Sequence, residues 1–353
     1  MEGSSLSRAA VRPLRVVQWA TGNIGSYALR CVLDHPALSL AGLYVHTPEK
    51  AGRDAGELCG RDACGVTATN DIDEILALEP DCVLYMPIAC DVDDVCRLLS
   101  SGANIVTTRG DFHHPASMKP EIRLRVDAAC HDGGTSIHST GSSPGFITEA
   151  LPITLTSIQR RLTSLTIHEY ADMSRRDSPG MLFDVMGIGR APTTFTDRQL
   201  THARTSFGPS LRLLAESLGL PLDSIEASGE LATARHDVRI AAGTVKAGTV
   251  AAQRITASGI RNGRPLLSFT ATWYVTTDID RDWDLRETGW RVSVDGDAAM
   301  DIDVRFPVPL ERFASVSPAY TANRAVNAVR IVCEAAPGIR TTADLPQVIA
   351  TLG

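Results

Sequence analysis

Two glycines, Gly22 and Gly25, follow directly on an apolar run at 16–20, and an apolar-periodic segment begins right after them. An order of strand, tight turn and helix places backbone N–H groups at the positive end of a helix, where a pyrophosphate can bind. The residues expected to contact it are Thr21, Gly22, Asn23, Ile24 and Gly25. The pattern is incomplete, because a dinucleotide-binding turn usually carries three glycines and we assign the first position to Trp19. Taken alone, the turn could equally be a purely structural strand–helix connection.

A carboxylate and two imidazoles follow the predicted strand 104–107, in the run Arg109-Gly110-Asp111-Phe112-His113-His114-Pro115. A carboxylate at this position could orient an amine nucleophile or stabilise an iminium through its charge. Asp111 is therefore the candidate catalytic residue. The alternative is that Asp111 caps the helix or turn that follows it.

The segment after the predicted second strand should select the cofactor. An acid at the end of that strand binds the ribose hydroxyls of NAD, whereas basic and small polar residues accept the extra phosphate of NADP. Here no acid ends the strand, and the residues that could line a phosphate are His46, Thr47, Lys50 and Arg53. This favours NADP(H), while Glu49 keeps NAD(H) as an alternative. Lys50 and Arg53 could also form no more than a solvated charged turn.

Four further residues lie at the predicted carboxyl ends of later strands, the edge at which a doubly wound sheet meets its ligand. They are Met86, Pro87, Thr107 and Thr108. Pro87 has no N–H, which suits a loop that curls over a ribose or a nicotinamide. We expect these residues to border the cofactor, with Met86 as a plain core residue the competing interpretation.

The elements that must position these groups alternate short apolar runs with helical stretches from residue 14 to about 140. Continuous β-branched runs separated by amphipathic helices indicate a parallel, doubly wound α/β sheet of the Rossmann type. This context favours a dinucleotide site over a structural turn. The predicted strands are 15–20, 38–46, 66–68, 81–86, 104–107 and 136–139, and the predicted helices are 23–34, 92–101 and 118–131.

The pattern changes after 141–145, where one apolar helix, 146–157, leads into long alternating strands. Turns such as Asn262-Gly263 and Asp295-Gly296 indicate antiparallel hairpins. We therefore predict a second, α+β domain with an open, mostly antiparallel sheet, one face on helices and the other offered to a ligand or a second subunit. The predicted strands are 162–169, 228–235, 237–242, 249–259, 266–276, 290–295 and 299–306, interrupted by a helix at 197–218.

The first strand of this second domain ends in a dense group of polar residues, which marks the predicted substrate pocket. A metal site on His168 and Glu169 is disfavoured, because alternate residues of a strand point to opposite faces. Aromatic and methionine side chains beyond them could form an apolar wall for a modest organic substrate. The predicted pocket residues are His168, Tyr170, Met173, Phe183 and Met186.

These patterns divide the chain into segments. Residues 1–13 are predicted to be a disordered leader, because they lack the apolar stretch of a signal peptide. Residues 14–145 form the predicted dinucleotide-binding domain and 146–317 the predicted substrate-binding and dimerisation domain. A helix at 318–340 carries an apolar stripe and is expected to return to the first domain.

Composition excludes several classes of protein. A net charge of -7 and the lack of a basic run argue against a nucleic-acid surface. No apolar segment approaches the roughly 20 residues that span a bilayer. Eight cysteines include no CxxC pair, and the nine histidines are scattered, so we predict reduced thiols, no metal site and a cytoplasmic protein.

Four motifs together resemble the dihydrodipicolinate-reductase-like superfamily, and within it the 2,4-diaminopentanoate dehydrogenases and NAD(P)H-dependent amine dehydrogenases of the actinobacterial branch. The resemblance runs from about residue 14 to 340. The motifs are 17–25 (VQWATGNIG), 52–58 (GRDAGEL), 143–146 (SPGF) and 321–328 (TANRAVNA).

This resemblance implies reversible oxidative deamination of an amine by NAD(P), or reductive amination of a ketone or aldehyde with ammonia in reverse. It also implies a homodimer formed through the sheet of the second domain, and a contribution of Asn327 to the cofactor site.

Two departures from the family pattern matter. Dihydrodipicolinate reductases carry a His-His and Lys motif before a Pro-Ser-Gly-Thr turn, whereas this chain has His168-Glu169 and 177–180 (DSPG). Amine dehydrogenases are expected to use a Glu after the fifth strand, and Asp111 is one methylene shorter. The alternatives are therefore a carbonyl or imine reductase that uses no ammonia, and an NADP-binding regulatory protein without turnover.

Overall fold

A computed structural model describes residues 12–352, which form two compact units. One unit comprises the described residues up to Ser143 and those from Pro318 onward, and the other runs from Pro144 to Ser317. Residues 1–11 of the predicted disordered leader lie outside the described residues. Arg12 is described, and its guanidinium donates to the Asp81 carboxylate at 2.8 Å.

The first unit begins with alternating strands and helices, because short buried runs alternate with amphipathic stretches. Its elements are β1 (Leu14–Trp19), α1 (Asn23–Asp34), β2 (Leu38–Tyr44), α2 (Ala55–Leu58), β3 (Ala68–Thr69), α3 (Ile72–Ala77), β4 (Cys82–Tyr85), α4 (Val92–Ser100), β5 (Asn104–Thr107), α5 (Pro120–Gly133) and β6 (Ser136–Ser139).

A π-helical segment, Ser142–Ala150, leads into the second unit, which alternates few helices with long strands. Its elements are α6 (Leu151–Thr156), β7 (Leu162–Asp172), a π-helical turn (Gly180–Val185), α7 (Asp197–Ser217), β8 (Ser224–Thr233), β9 (Val238–Ile240), β10 (Gly243–Val245), β11 (Val250–Arg261), β12 (Arg264–Tyr274), β13 (Gly289–Gly296) and β14 (Met300–Arg305). The chain ends with α8 (Leu310–Cys333) and β15 (Gly338–Arg340).

The first unit is built on a seven-stranded sheet in the order β15-β6-β5-β4-β1-β2-β3. Every neighbouring pair of strands is parallel. The side chains of β4 and β6 are buried on both faces, as expected when helices cover both sides of a parallel sheet. One core cluster groups Val17, Tyr85 and Ile105 with residues of α4 and α5, and a second groups β-strand residues with α1 and α8. The predicted doubly wound Rossmann-type sheet is confirmed.

The end of the chain differs from the predicted helix at 318–340. Helix α8 begins at Leu310, eight residues earlier, and ends at Cys333. Pro337 cannot extend a helix, and Gly338 has a φ of 132°, which favours glycine. The residues that follow form β15, which pairs with β6 at the edge of the sheet.

The second unit holds a six-stranded sheet in the order β14-β13-β7-β12-β11-β8. The pairing is antiparallel except between β7 and β12, which run parallel. One face buries Ile167, Phe269 and Val292 against α7, where Phe207 stacks on Phe269 with ring centroids 4.3 Å apart. The predicted open and mostly antiparallel sheet is confirmed.

One of the two predicted hairpin turns is correct. Asn262 and Gly263 have φ angles of 52° and 71° and connect β11 to β12 as a two-residue loop. The prediction of a turn at Asp295-Gly296 is wrong, because both residues still belong to β13. The loop lies one residue later, where the Asp297 carboxylate accepts the backbone N–H groups of Arg160 and Arg161 and so fixes the connection.

Candidate active site

The glycine turn lies between β1 and α1, at the carboxyl edge of the parallel sheet. The predicted assignment of the first glycine position to Trp19 is wrong. Trp19 is the last residue of β1, fully buried, whereas Ala20 has a φ of 75°, the left-handed conformation that the first glycine of such a turn adopts. The motif is therefore Ala20-Thr21-Gly22-Asn23-Ile24-Gly25, with alanine in the strained position.

The other two glycines fit a bound dinucleotide. A Cβ on Gly25 would lie 2.2 Å from the carbonyl oxygen of Ala20, so only glycine lets the helix start so close to the strand. A Cβ on Gly22 would meet no protein atom within 4 Å. Gly22 is the N-cap of α1, and no side chain accepts the first N–H groups of the helix. Such uncapped N–H groups are typical of the helix N-termini that bind anions.

Aromatic rings close the carboxyl ends of β1 and β2. The rings of Trp19 and Tyr44 stack with centroids 3.7 Å apart. His46, which is exposed just beyond β2, meets both rings edge-on, at 6.3 Å from Trp19 and 5.1 Å from Tyr44. His46 thus contacts this aromatic pair at the carboxyl end of β2.

Lys50 reaches the glycine turn from the 3₁₀ turn Pro48–Lys50. Its ammonium lies 2.9 Å from the Thr21 hydroxyl and 3.4 Å from the Thr21 carbonyl oxygen. Thr47 and Arg53 are exposed on the same connection. The nearby carboxylate of Asp54 accepts the backbone N–H groups of Gly56, Cys64 and Gly65, and these bonds lower the pKa of the carboxyl.

The ends of β4 and β5 are tied together by Thr107, whose hydroxyl donates to the Tyr85 carbonyl at 2.6 Å. Thr107, Met86 and Pro87 are buried, and Thr108 is half-buried. Met86 packs in the core cluster that holds α1 and α8, so its side chain belongs to the interior of this unit. Asn327 lies half-buried on α8.

Asp111 lies in a 3₁₀ turn, Gly110–Phe112, that follows β5. It caps no helix; instead, its Oδ2 accepts a hydrogen bond from Nε of Arg109 at 2.8 Å. Among residues 12–352, Oδ1 of Asp111 has no hydrogen-bond partner. Both neighbouring histidines are buried, and His114 Nδ1 is 2.7 Å from the Ser117 hydroxyl. Asp111 is thus the exposed acid of this loop.

The second unit carries a separate polar cluster. His168 and Tyr170 stack with ring centroids 4.0 Å apart, and the Tyr170 hydroxyl lies 3.0 Å from His168 Nδ1. His168 Nε2 lies 2.8 Å from the hydroxyl of Thr272, and this hydroxyl accepts a hydrogen bond from Nε of Arg254 at 3.2 Å. Burial, and then the charges of Arg254 and Arg286, lower the pKa of His168 to about 4. The imidazole is therefore neutral at pH 7.

The remaining predicted pocket residues, Met173, Phe183 and Met186, pack in an apolar cluster of the same unit, around Ile188 and Tyr274. Trp283 packs against this cluster, and its ring contacts the Arg254 guanidinium that bonds Thr272. Met186 is buried, while Met173 and Phe183 are half-buried. The predicted pocket is thus two groups, one polar and one apolar.

A cavity of about 320 Å³ opens at the opposite, amino-terminal edge of the parallel sheet, lined by Leu14, Asp81, Asn104 and Cys333 among others. Of the acids that line it, Asp81 accepts from the Arg12 guanidinium and from the backbone N–H of Arg15, and Glu334 pairs with Arg330. In the described part of the chain, no group of three or more His, Cys, Asp or Glu residues could hold a metal ion. Nor does any described helix have the length and hydropathy needed to cross a bilayer.

Comparison with known proteins decides the family. Residues 146–353 match the model of the 2,4-diaminopentanoate dehydrogenase C-terminal domain. The chain is also 31% identical over 348 residues to an amine dehydrogenase of Streptomyces virginiae, with 94% of this chain and 96% of that protein covered. The chain belongs to the 2,4-diaminopentanoate dehydrogenase family.

A second curated protein and a solved structure are also similar to this chain. A 2,4-diaminopentanoate dehydrogenase of Acetoanaerobium sticklandii is 22% identical over 265 residues, which cover 74% of this chain and 71% of that protein. The structure of an amine dehydrogenase from Mycobacterium smegmatis shares the fold, with a TM-score of 0.74 at 21% identity and coverage of 96% and 97% of the two chains. The predicted relationship to both groups of dehydrogenases is confirmed.

Several contacts in this member of the 2,4-diaminopentanoate dehydrogenase family were missed from the sequence. The sequence marks Arg109 only as part of the loop after β5, and it gives no signal for Arg254, Thr272 or Trp283. The Arg254 guanidinium lies 4.3 Å from the centroid of the Trp283 ring. The register Thr272↔Tyr170 is what brings these strands together. No local sequence signal reports such pairing.

Proposed function

We propose that this chain is a nicotinamide-dependent amine dehydrogenase in which Asp111 binds the reacting nitrogen. It would interconvert a small amine with a ketone or aldehyde and ammonia. The observation that carries the proposal is the position of Asp111. Its exposed carboxylate lies at the carboxyl edge of the parallel sheet, the same edge at which the glycine turn lies, and Arg109 donates a hydrogen bond to its Oδ2. Family membership supports the class of reaction.

A bound nicotinamide would supply the hydride exchange at the carbon that bears the nitrogen. Asp111 Oδ1 would accept a hydrogen bond from the substrate N–H and offset the positive charge of the iminium. In the direction of deamination, water then adds to the iminium carbon, and the C–N bond breaks to release ammonium and the carbonyl product. In the reverse direction, the same oxygen would hold ammonia as it attacks the carbonyl carbon.

We propose NADP(H) rather than NAD(H) as the cofactor. Two observations support this choice. The ammonium of Lys50 lies at the glycine turn with neutral oxygens as its partners, so its charge is available to a phosphate. No acid ends β2, and the carboxylate of the nearby Asp54 already accepts three backbone N–H groups. His46, Thr47 and Arg53 are the further residues proposed for the 2′-phosphate end.

We also propose a homodimer formed through the polar face of the six-stranded sheet. The apolar face is covered by α7, whereas the polar face carries side chains paired across strands, such as Thr256 with Thr270 at 3.0 Å. We assign the His168–Tyr170 cluster to this interface. Met173 and Phe183 are then the proposed substrate contacts. Sedimentation velocity tests the dimer: Thr256→Arg should give a monomer, whereas a wild-type chain that sediments as a monomer contradicts it.

Reductive amination assays test the reaction itself. Purified protein should oxidise NADPH with a panel of ketones and aldehydes only when ammonium is present, and Asp111→Asn, which keeps the shape but removes the charge, should lower kcat by about 100-fold or more. Equal rates with and without ammonium would identify a carbonyl reductase. Binding of NADPH without turnover of amines, imines or carbonyls would identify a regulatory protein.

A further inference from the structure

We propose that Arg109 is the positioning residue of the active site, and that it fixes Asp111 by clamping it to the loop that follows β4. This inference rests on the proposed role of Asp111. Nε of Arg109 donates to Asp111 Oδ2 at 2.8 Å, while Nη1 of the same guanidinium donates to the carbonyl oxygens of Pro87 and Ile88, the former at 3.2 Å.

The backbone of Arg109 is itself fixed by three strands. Its N–H donates to the Thr107 hydroxyl at 3.1 Å, and that hydroxyl donates in turn to the Tyr85 carbonyl at the end of β4. Its carbonyl oxygen accepts a hydrogen bond from Ser139 at the end of β6. The Arg109 side chain therefore extends from a fixed backbone position. Its guanidinium can thus hold the loop after β4 and the turn that carries Asp111 at a constant distance from each other.

The geometry of the fork explains why this residue is an arginine. A guanidinium presents several N–H donors in a rigid plane, so one side chain can bond a carboxylate and two carbonyl oxygens at once. A lysine at 109 would keep the charge but would carry its donors on a single nitrogen. The other end of the clamp is a loop whose Ile88 side chain is 96% exposed, so this loop gains little order from its own packing.

The ion pair between Arg109 and Asp111 mainly orients the Asp111 carboxylate and adds little to the stability of the fold. The side chains of Arg109 and Asp111 are 23% and 43% exposed, and pairs in such surroundings contribute little to folding. Cys90, beside Asp111, adds no charge, because burial and then the charge of Asp111 raise the pKa of the thiol to about 11. Arg109 is thus the cation that orients Asp111 and leaves Oδ1 for the substrate nitrogen.

A double-mutant cycle tests the clamp, with reductive amination and NADPH affinity measured on Arg109→Met, Arg109→Lys, Asp111→Asn and the double variant Arg109→Met/Asp111→Asn. We expect Arg109→Met to lower kcat by about 10- to 100-fold, because small misplacement of a catalytic group has effects of this size. The Kd for NADPH and the Tm should stay close to wild type. Arg109→Lys should recover only part of the loss. In the Asp111→Asn background, Arg109→Met should have little further effect.

Each result decides between the clamp and its alternatives. Arg61→Met, which removes another exposed ion pair with Asp34 on the same unit, is the matched control and should leave kcat unchanged. A wild-type kcat in Arg109→Lys overturns the positioning role of Arg109 and leaves the proposed role of Asp111 intact. The same conclusion follows if the kcat losses of the two single variants multiply in the double variant. Full activity of Asp111→Asn overturns the proposed function and the clamp together. If Arg109→Met unfolds, the kcat of the folded Arg109→Lys variant decides: a wild-type value refutes the clamp.

Discussion

Lys50, in the turn after β2, reaches back to Thr21 in the glycine turn: the ammonium lies 2.9 Å from the threonine hydroxyl. Lys50→Met should therefore weaken the binding of NADPH by about tenfold and that of NADH much less, because a charged contact to a phosphate contributes about 1.5–3 kcal/mol. Fluorescence titration with both cofactors measures this difference. Lys119→Met, at an exposed lysine before α5, is the control and should change neither affinity. Equal losses for the two cofactors would contradict a phosphate role for Lys50.

The two glycines of the turn should respond differently to the same added methyl group. Gly22→Ala fits its φ of -70° and meets no protein atom within 4 Å, so it should fold with a stability loss of at most about 1 kcal/mol yet bind dinucleotide poorly. Gly25→Ala would place Cβ 2.2 Å from the Ala20 oxygen and should lower the Tm sharply. Thermal melts and cofactor titrations on both variants test the pair. A Gly22→Ala variant with wild-type affinity would show that the pyrophosphate does not approach there.

Ala20 should be a site of stored backbone strain. An alanine at a φ of 75° raises the free energy of the folded state by about 1–2 kcal/mol. Glycine avoids this strain but loses more backbone entropy on folding, so the net gain is smaller than the strain itself. Ala20→Gly should therefore stabilise the protein by up to about 1 kcal/mol in urea unfolding. The matched control is Ala28→Gly, inside α1, which should destabilise by about 1 kcal/mol or more. Destabilisation by Ala20→Gly would refute the strain.

His168 should make stability depend on pH in the acidic range. Its pKa is about 4 in the folded chain and about 6.5 when unfolded, so below pH 6.5 the unfolded chain binds the additional proton. The stability that His168 contributes is complete above about pH 6.5 and is lost as the pH falls toward 4. Between pH 7 and pH 4.5, wild type should lose about 2 kcal/mol more than His168→Gln. Urea unfolding at both pH values measures the difference, and parallel losses would contradict a buried neutral imidazole.

The sequence was most informative where structure is dictated locally. The predicted bounds of α1, β5 and β6 agree with the structure, because buried parallel strands and amphipathic helices are bounded by sharp polar breaks. The turn at Asn262-Gly263 was predictable because few residue pairs adopt both positive φ angles. These signals lie within about ten residues of the element they specify.

Long-range pairing was not predictable from such signals. Three-residue β15 has too few positions to show a period, and it is a strand only because β6 lies beside it. The place of Ala20 in the turn depends on a backbone angle rather than on composition. Likewise, Arg109 and Ile88 meet only because β4 and β5 are neighbours in the sheet, twenty-one residues apart in the chain.

The strand at the far end of the chain also constrains biosynthesis. β15 pairs with β6, about two hundred residues earlier, and α8 supplies one side of a core whose strands lie near the amino terminus. A nascent chain on the ribosome therefore exposes an apolar sheet surface until both elements have left the exit tunnel. Such distant closure slows folding and prolongs the time during which chaperones can bind. The unit that holds the seven-stranded sheet can therefore be completed only after the second unit has been translated.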